Sequence, residues 1–116
     1  MTIGILKEAE SEHRVSALPE IVGQFIKLQT QVVVEQGAGH TAFASDEDYK
    51  QVGASIASRK EVVEQSDILL SIGQPTETNF KSKAIILGVF QPLFNYSLIK
   101  DWANKGYTTF IGPILY

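Results

Sequence analysis

Six short runs of aliphatic and β-branched residues recur along this chain, and the stretches between them are long enough to cross over and return in the same direction. The runs occupy residues 2–6, 31–35, 54–57, 67–72, 84–90 and 107–111. Each is short, apolar and bounded by charge, glycine or proline, as a strand buried on both faces should be. Helical patterns fill most of the gaps. Pro19 suits a first helical turn, where its missing N–H costs nothing, and Ile21, Val22, Phe25, Ile26 and Leu28 follow at helical spacing. Gln29-Thr30 ends that helix without the usual glycine. Ser45-Asp46-Glu47-Asp48 opens a short helix through a capping box, with Gly53 at its end. Ser58-Arg59-Lys60-Glu61 repeats the signal, and Val62 and Val63 face inward behind it. Residues 76–81 read as a weak helical turn. Asn95 caps a last helix whose buried face is Leu98, Ile99, Trp102 and Ala103, and Gly106 closes it.

This alternation is the signature of parallel βαβ units. Right-handed crossovers then place helices on both faces. The predicted fold is α/β, a doubly wound, mainly parallel sheet of the flavodoxin-like or Rossmann-like three-layer sandwich type. Residues 84–90 form the longest apolar run and the best candidate for the central strand. The chain is the length of one domain, and ~70% of its unfolded surface would be buried.

Bulk chemistry narrows the function. Ten basic residues against thirteen acidic ones give a net charge of −3, which argues against a nucleic-acid partner, since phosphate neutralisation needs clustered Lys and Arg. The chain has no cysteine, so disulfides, thiol catalysis and cysteine metal sites are excluded; no metal site is predicted. The longest apolar run is far below the ~20 residues of a membrane helix, and Lys7-Glu8 interrupts the N-terminus too early for a signal peptide.

In a doubly wound sheet, ligands bind beyond the carboxyl ends of the strands, at the point where strand order reverses. Three segments would line that edge: residues 7–14, residues 71–75, and Gln91-Pro92. The cleft candidates are therefore Arg14, Ser71 and Gln91. The fork of Arg14 suits a carboxylate or phosphate; it could equally pair with Glu8, Glu10 or Glu12 and hold its own loop. His13 and His40 read as solvated loop residues. Gly37-Ala38-Gly39-His40 reads as a tight turn with glycine at positive φ, because no GxGxxG or GxxxxGK[ST] phosphate motif is present. Ser71 has no histidine placed to activate it, and no carboxylate pair is spaced for acid/base work. No catalytic residue and no cofactor-binding residue is assigned to this chain. A phospho-receiver would need paired acids after the first strand, where Lys7-Glu8 stands, and another after the third. A flavodoxin would need a Ser/Thr/Gly phosphate loop after the first strand, and it is absent.

Taken together, Lys7-Glu8, Arg14-Val15, Ala17-Leu18-Pro19 and Val34-Glu35-Gln36-Gly37-Ala38-Gly39 resemble the N-terminal domain of the alanine dehydrogenase and nicotinamide nucleotide transhydrogenase alpha-subunit family. Tyr49, Gly53-Ala54, Asp67-Ile68-Leu69-Leu70 and Pro75 extend the resemblance over essentially the whole chain. It implies that residues 1–116 are one domain of a longer two-domain protein. NAD(H) would be held by a second, glycine-rich Rossmann domain, and the chain alone would be inactive and would bind no cofactor tightly. The apolar residues 112–116 fit a chain cut from a longer parent, since natural ends are more often polar.

Three positions separate the branches of that family. Alanine dehydrogenases are expected to use an arginine, a lysine and a histidine at their oxo-acid pocket. The arginine falls on Arg14, the lysine on Ser71 and the histidine near Gln91, so two of the three are uncharged here. Direct hydride transfer between NADH and NADP⁺ needs no oxo-acid pocket. The resemblance thus points first to the NAD(H)-binding alpha subunit of a proton-translocating transhydrogenase. Its implied partners are the chain's own NAD-binding domain, further copies in a homo-oligomer, and membrane and NADP-binding subunits. Its implied location is cytoplasmic, peripheral at the inner face of the membrane. An alanine or saccharopine dehydrogenase-like oxidoreductase is the second implication, and a non-catalytic binding or scaffold domain the third.

Overall fold

The computed structural model describes residues 1–9, 12–88 and 96–111. Six strands form one sheet: β1 (Thr2–Ile5), β2 (Gln31–Glu35), β3 (Ser55–Ala57), β4 (Ile68–Ser71), β5 (Ile85–Gly88) and β6 (Thr108–Ile111). Among the described residues, four α-helices accompany them: α1 (Pro19–Lys27), α2 (Asp46–Gln51), α3 (Arg59–Gln65) and α4 (Tyr96–Asn104). Strand order is β3-β2-β1-β4-β5-β6, and every pair is parallel. This is the Rossmann order, not the flavodoxin one. Ile5 lies opposite Val34 on one side and Leu70 on the other, so β1 and β4 meet where the order reverses.

Alternation along the strands splits the core into two layers. Ile3, Ile5, Val32 and Val34 face one side with Val22 of α1 and Tyr49 of α2. Leu6, Val33, Leu69 and Ile86 face the other with Val62 and Val63 of α3 and Trp102 of α4. Burying each such aliphatic side chain stabilises the fold by about 1.5–3 kcal/mol before entropy is counted. At Gly4, a Cβ would lie 1.9 Å from Ser66 Oγ and 2.9 Å from Val62 Cγ1. Glycine there lets the end of α3 press directly onto the middle of the sheet.

The helix boundaries follow local chemistry. Ser45 accepts from the Asp48 N–H while the Asp48 carboxylate accepts from the Ser45 N–H, a complete capping box. At α3 only half of the box forms. Ser58 accepts from the Glu61 N–H, but the Glu61 carboxylate takes the Ser58 hydroxyl rather than its N–H. Past the end of α1, Gln29 itself adopts φ +63 where a glycine would be usual. Not every residue of the predicted apolar stripes is covered. Leu28 is 76% exposed, and Ile21 and Ala103 are exposed too.

Two further expectations change. The longest apolar run does not mark the centre of the sheet, because β5 lies next to the edge strand β6 and the middle pair is β1 and β4. A strand's apolarity reports burial of its two faces, not its rank in the sheet. The weak helical turn at residues 76–81 does not form. Its carbonyls are used from outside: Trp102 Nε1 donates to the Glu77 carbonyl at 2.8 Å, and the Tyr107 hydroxyl lies 3.2 and 3.0 Å from the Thr78 and Phe80 carbonyls. Phe80 is drawn into the core by edge-on contacts with Trp102 and Tyr107. The capping role of Asn95 and the end of the predicted strand at residues 89–90 lie outside the described residues.

Candidate functional site

The carboxyl edge of the sheet holds a cleft of about 300 Å³ lined by Lys7, Glu8, Glu35, Arg59 and Ser71, with residues 73–76 along one rim. Lys7 and Glu8 follow β1, Glu35 ends β2, Arg59 opens α3 after β3, and Ser71 ends β4. A roomier hollow, about 490 Å³, lies at the opposite edge. Its lining includes Thr2, Gln29, Gln31 and Gln65 but no charged side chain. The carboxyl edge has both the topology and the charged groups a polar ligand needs, and it is the candidate site.

Glu8 dominates one wall. Its carboxylate accepts from the backbone N–H groups of Ile72 at 2.8 Å and Gly73 at 2.7 Å. The Ser71 hydroxyl is 3.3 Å from the same carboxylate and also contacts the Gly73 carbonyl. Its single proton serves those two acceptors, so Ser71 is a buried orienting group and not an activated nucleophile.

Arg59 anchors the rest of the lining. Its guanidinium spans three segments of chain. Nε and Nη2 donate to Glu77, while Nη1 donates to Glu35 at 3.0 Å and to the Lys7 carbonyl at 3.2 Å. Glu35 also accepts from the Lys7 N–H at 2.8 Å. Burial works against the charge on Arg59, but Glu77 and Glu35 outweigh it and hold its pKa above the ordinary value. Burial likewise works against the charge on Glu77, and the bonds from Arg59 reverse that and hold its pKa below the ordinary value. The guanidinium is thus committed within the fold. The Lys7 ammonium lies about 3.7 Å from where a side chain at Gly37 would begin. Gly37 has φ +77, the positive φ expected of this turn. Gly39 is glycine for space instead, since a Cβ there would fall 2.6 Å from the Ala44 carbonyl oxygen.

Of the three residues singled out from sequence, Ser71 lines the cleft. Arg14 does not line it; it is exposed, and its Nε and Nη2 donate to Glu12 at 2.8 and 3.0 Å. The hydrogen bonds from Arg14 hold the Glu12 carboxyl down at about 2. Gln91 lies outside the described residues. His13 and His40 are exposed. Sequence reasoning missed the pairing of Glu8 with residues 72–73 and the role of Arg59. The signal available was positional: Arg59 directly follows the third strand, at the same edge as Lys7 and Ser71. Among the described residues, no group of three or more His, Asp or Glu side chains could hold a metal.

A parallel sheet of Rossmann order with its polar cleft at the switch point defines the class of domain. The chain matches the family described as "Alanine dehydrogenase/PNT, N-terminal domain" over residues 4–111, and it belongs to that family. It is 38% identical over 120 residues to an NAD(P) transhydrogenase subunit alpha chain of Rickettsia prowazekii, covering 95% of this chain and 31% of that protein. It is 34% identical over 98 residues to an alanine dehydrogenase of Staphylococcus saprophyticus, covering 82% of this chain and 26% of that one. Among solved structures, the transhydrogenase from Sinorhizobium meliloti superposes with a TM-score of 0.85 at 28% identity, over 96% of this chain and 34% of that chain. The chain thus spans about a third or less of the length of these relatives. Among the described residues, no helix is long and apolar enough to cross a membrane.

Proposed function

We propose that this chain is the N-terminal cleft domain of a transhydrogenase alpha subunit, where hydride passes between NADH and NADP⁺. NAD(H) is gripped by a second domain, and the carboxyl edge of the present sheet forms the facing wall of the interdomain cleft. The protein works in the cytoplasm within a homo-oligomer, against membrane-bound and NADP-binding subunits that couple transfer to proton movement. The observation that carries this reading is the state of the cleft. The donors at its β4 wall are taken by Glu8, and its guanidinium is taken by Glu35 and Glu77. An oxo-acid dehydrogenase needs cations committed to the substrate's carboxylate and carbonyl. Nicotinamide-to-nicotinamide transfer needs a shaped, orienting wall that brings the two rings together. The similarity to the rickettsial and sinorhizobial transhydrogenases supports the same choice. An amino-acid dehydrogenase is the competing reading, favoured by the staphylococcal relative and opposed by the serine at position 71.

This division of labour has a direct test. Calorimetric titration of the chain with NADH should give no micromolar binding, and micromolar affinity would overturn the assignment of the cofactor grip to another domain.

A further inference from the structure

Phe43 carries two unfavourable features at once. Its side chain is almost wholly exposed, and its backbone sits at φ +62, in the left-handed region that suits glycine. A single exposed apolar side chain needs no explanation. Exposure and strain on the same aromatic residue do, because glycine at position 43 would relieve the backbone and take apolar surface out of water in one step. A loose loop tip would make the strain immaterial, but this loop is pinned. The Gly37 N–H donates to Asp46 at 2.9 Å. The N–H groups of Ala42 and Ala44 both donate to the Gly39 carbonyl, at 3.0 and 2.9 Å, and that of Phe43 donates to the His40 carbonyl at 3.3 Å. Ala38 and Ala44 are buried on either side of the turn, and Thr41 Oγ1 donates to the His13 carbonyl at 3.3 Å. The ring is therefore held out into solvent by a braced turn.

Its place in the fold indicates what covers it. Residues 36–45 follow β2, so the turn rises from the carboxyl edge of the sheet, the edge of the cleft, with Gly37 close to the Lys7 side chain. This chain accounts for only 31% of the rickettsial relative and 34% of the sinorhizobial structure, and the cleft reading sets the NAD(H)-gripping domain across this same edge. We propose that Phe43 is the aromatic anchor through which this domain docks on that facing domain, its ring seated in an apolar recess there. Aromatic side chains are enriched in interface cores, where one ring supplies a large burial at low entropic cost. Seating the ring recovers the burial that the chain alone forgoes and offsets the backbone strain. The turn is tied to the end of β2, to the start of α2 and to the carbonyl of His13, so docking of the ring fixes the cleft edge against the other domain. The proposal rests on the reading of this chain as one wall of an interdomain cleft, and it names the contact that sets the two walls.

The test uses purified full-length protein carrying p-benzoylphenylalanine, a photoreactive phenylalanine analogue, at position 43. Irradiation should join that position to a residue of the second domain in the same polypeptide, with no gain in subunit mass. A dimer-sized product would put a second copy of the chain over the ring, and attachment to an added NADP-binding subunit would put that subunit there. Attachment within residues 1–116, or to nothing, would leave the ring without an outside partner. Each of these three results overturns the proposal. Phe43→Gly gives an independent reading. In the 116-residue chain its thermal midpoint should stay unchanged or rise, because strain is relieved and no contact is lost. In the full-length protein the midpoint should fall by about 2–4 °C, the shift of a lost interface contact. A midpoint that falls in the short chain, or fails to fall in the full-length protein, would overturn the proposal as well. No nicotinamide and no turnover enter these measurements, so their failure is separable from failure of the hydride-transfer reading, which is scored by turnover.

Discussion

Replacing Arg59 with alanine removes a side chain that ties the ends of β1 and β2 to the β4–β5 connection. The cost can be bracketed from burial. An exposed ion pair contributes about 0–1 kcal/mol, whereas breaking a fully buried one costs about 3–5 kcal/mol. The Arg59 side chain is 37% exposed, Glu35 13% and Glu77 23%, so the network lies between the limits. Its loss leaves two half-buried carboxylates without their shared cation and the Lys7 carbonyl without its donor. The expected loss is about 2 kcal/mol. Urea unfolding of Arg59→Ala should show a lower midpoint with an unchanged slope, since the surface exposed on unfolding is the same. Adding Glu77→Gln to Arg59→Ala should restore part of that loss, a non-additivity expected of partners in contact. A loss under about 0.5 kcal/mol, or strictly additive single mutants, would refute the view that this network holds the cleft wall; loss of that size is what an exposed pair gives.

Two other perturbations have defined outcomes. Gly4→Ala would force a methyl to within 1.9 Å of Ser66 Oγ, in a strand paired on both sides, so it should cost about 1–3 kcal/mol by overpacking; an unchanged thermal midpoint would contradict the close approach. Tyr49 is fully buried, its hydroxyl donates to the Ala17 carbonyl at 2.7 Å, and burial, aided by Asp46 and Asp48, raises its pKa from 10.0 to about 12. Its stabilising contribution is complete below pH 10 and should be lost as pH rises from there through about 12. Tyr49→Phe should cost about 1–2 kcal/mol at neutral pH by stranding a buried carbonyl, and should flatten the alkaline limb of a stability–pH profile; an identical alkaline limb in the variant would count against this assignment.

The regions of this molecule that were legible in the sequence are those governed by near neighbours. Strand β2 is a run of valines, the Ser45 box closes over three residues, and Pro19 marks the first turn of α1. Strand alternation then fixed the layers, because period-two burial and right-handed crossovers leave few topologies. The cleft was legible only as an edge. Glu8 meets Gly73 across sixty-five positions and Arg59 meets Glu35 across twenty-four, and no periodicity carries such a pairing. Arg14 drew attention through its type, yet its nearest carboxylate is two positions away, and a local partner outcompetes a distant one at low entropic cost. Phe43 shows the same limit from the apolar side. It is 98% exposed at φ +62 after a short 3₁₀ turn, and its pattern does not distinguish it from a core aromatic.

The choice between hydride transfer to NADP⁺ and reduction of an oxo-acid is decided by one comparison. If the proposed reading holds, NADH oxidation by the full-length protein assembled with an NADP-binding subunit should be supported by NADP⁺ or a close analogue. Pyruvate with ammonia should support none above background, because the Arg59 guanidinium is committed to Glu35 and Glu77 and serine stands at position 71. Robust NADH oxidation by pyruvate and ammonia, with no response to NADP⁺, would contradict the account.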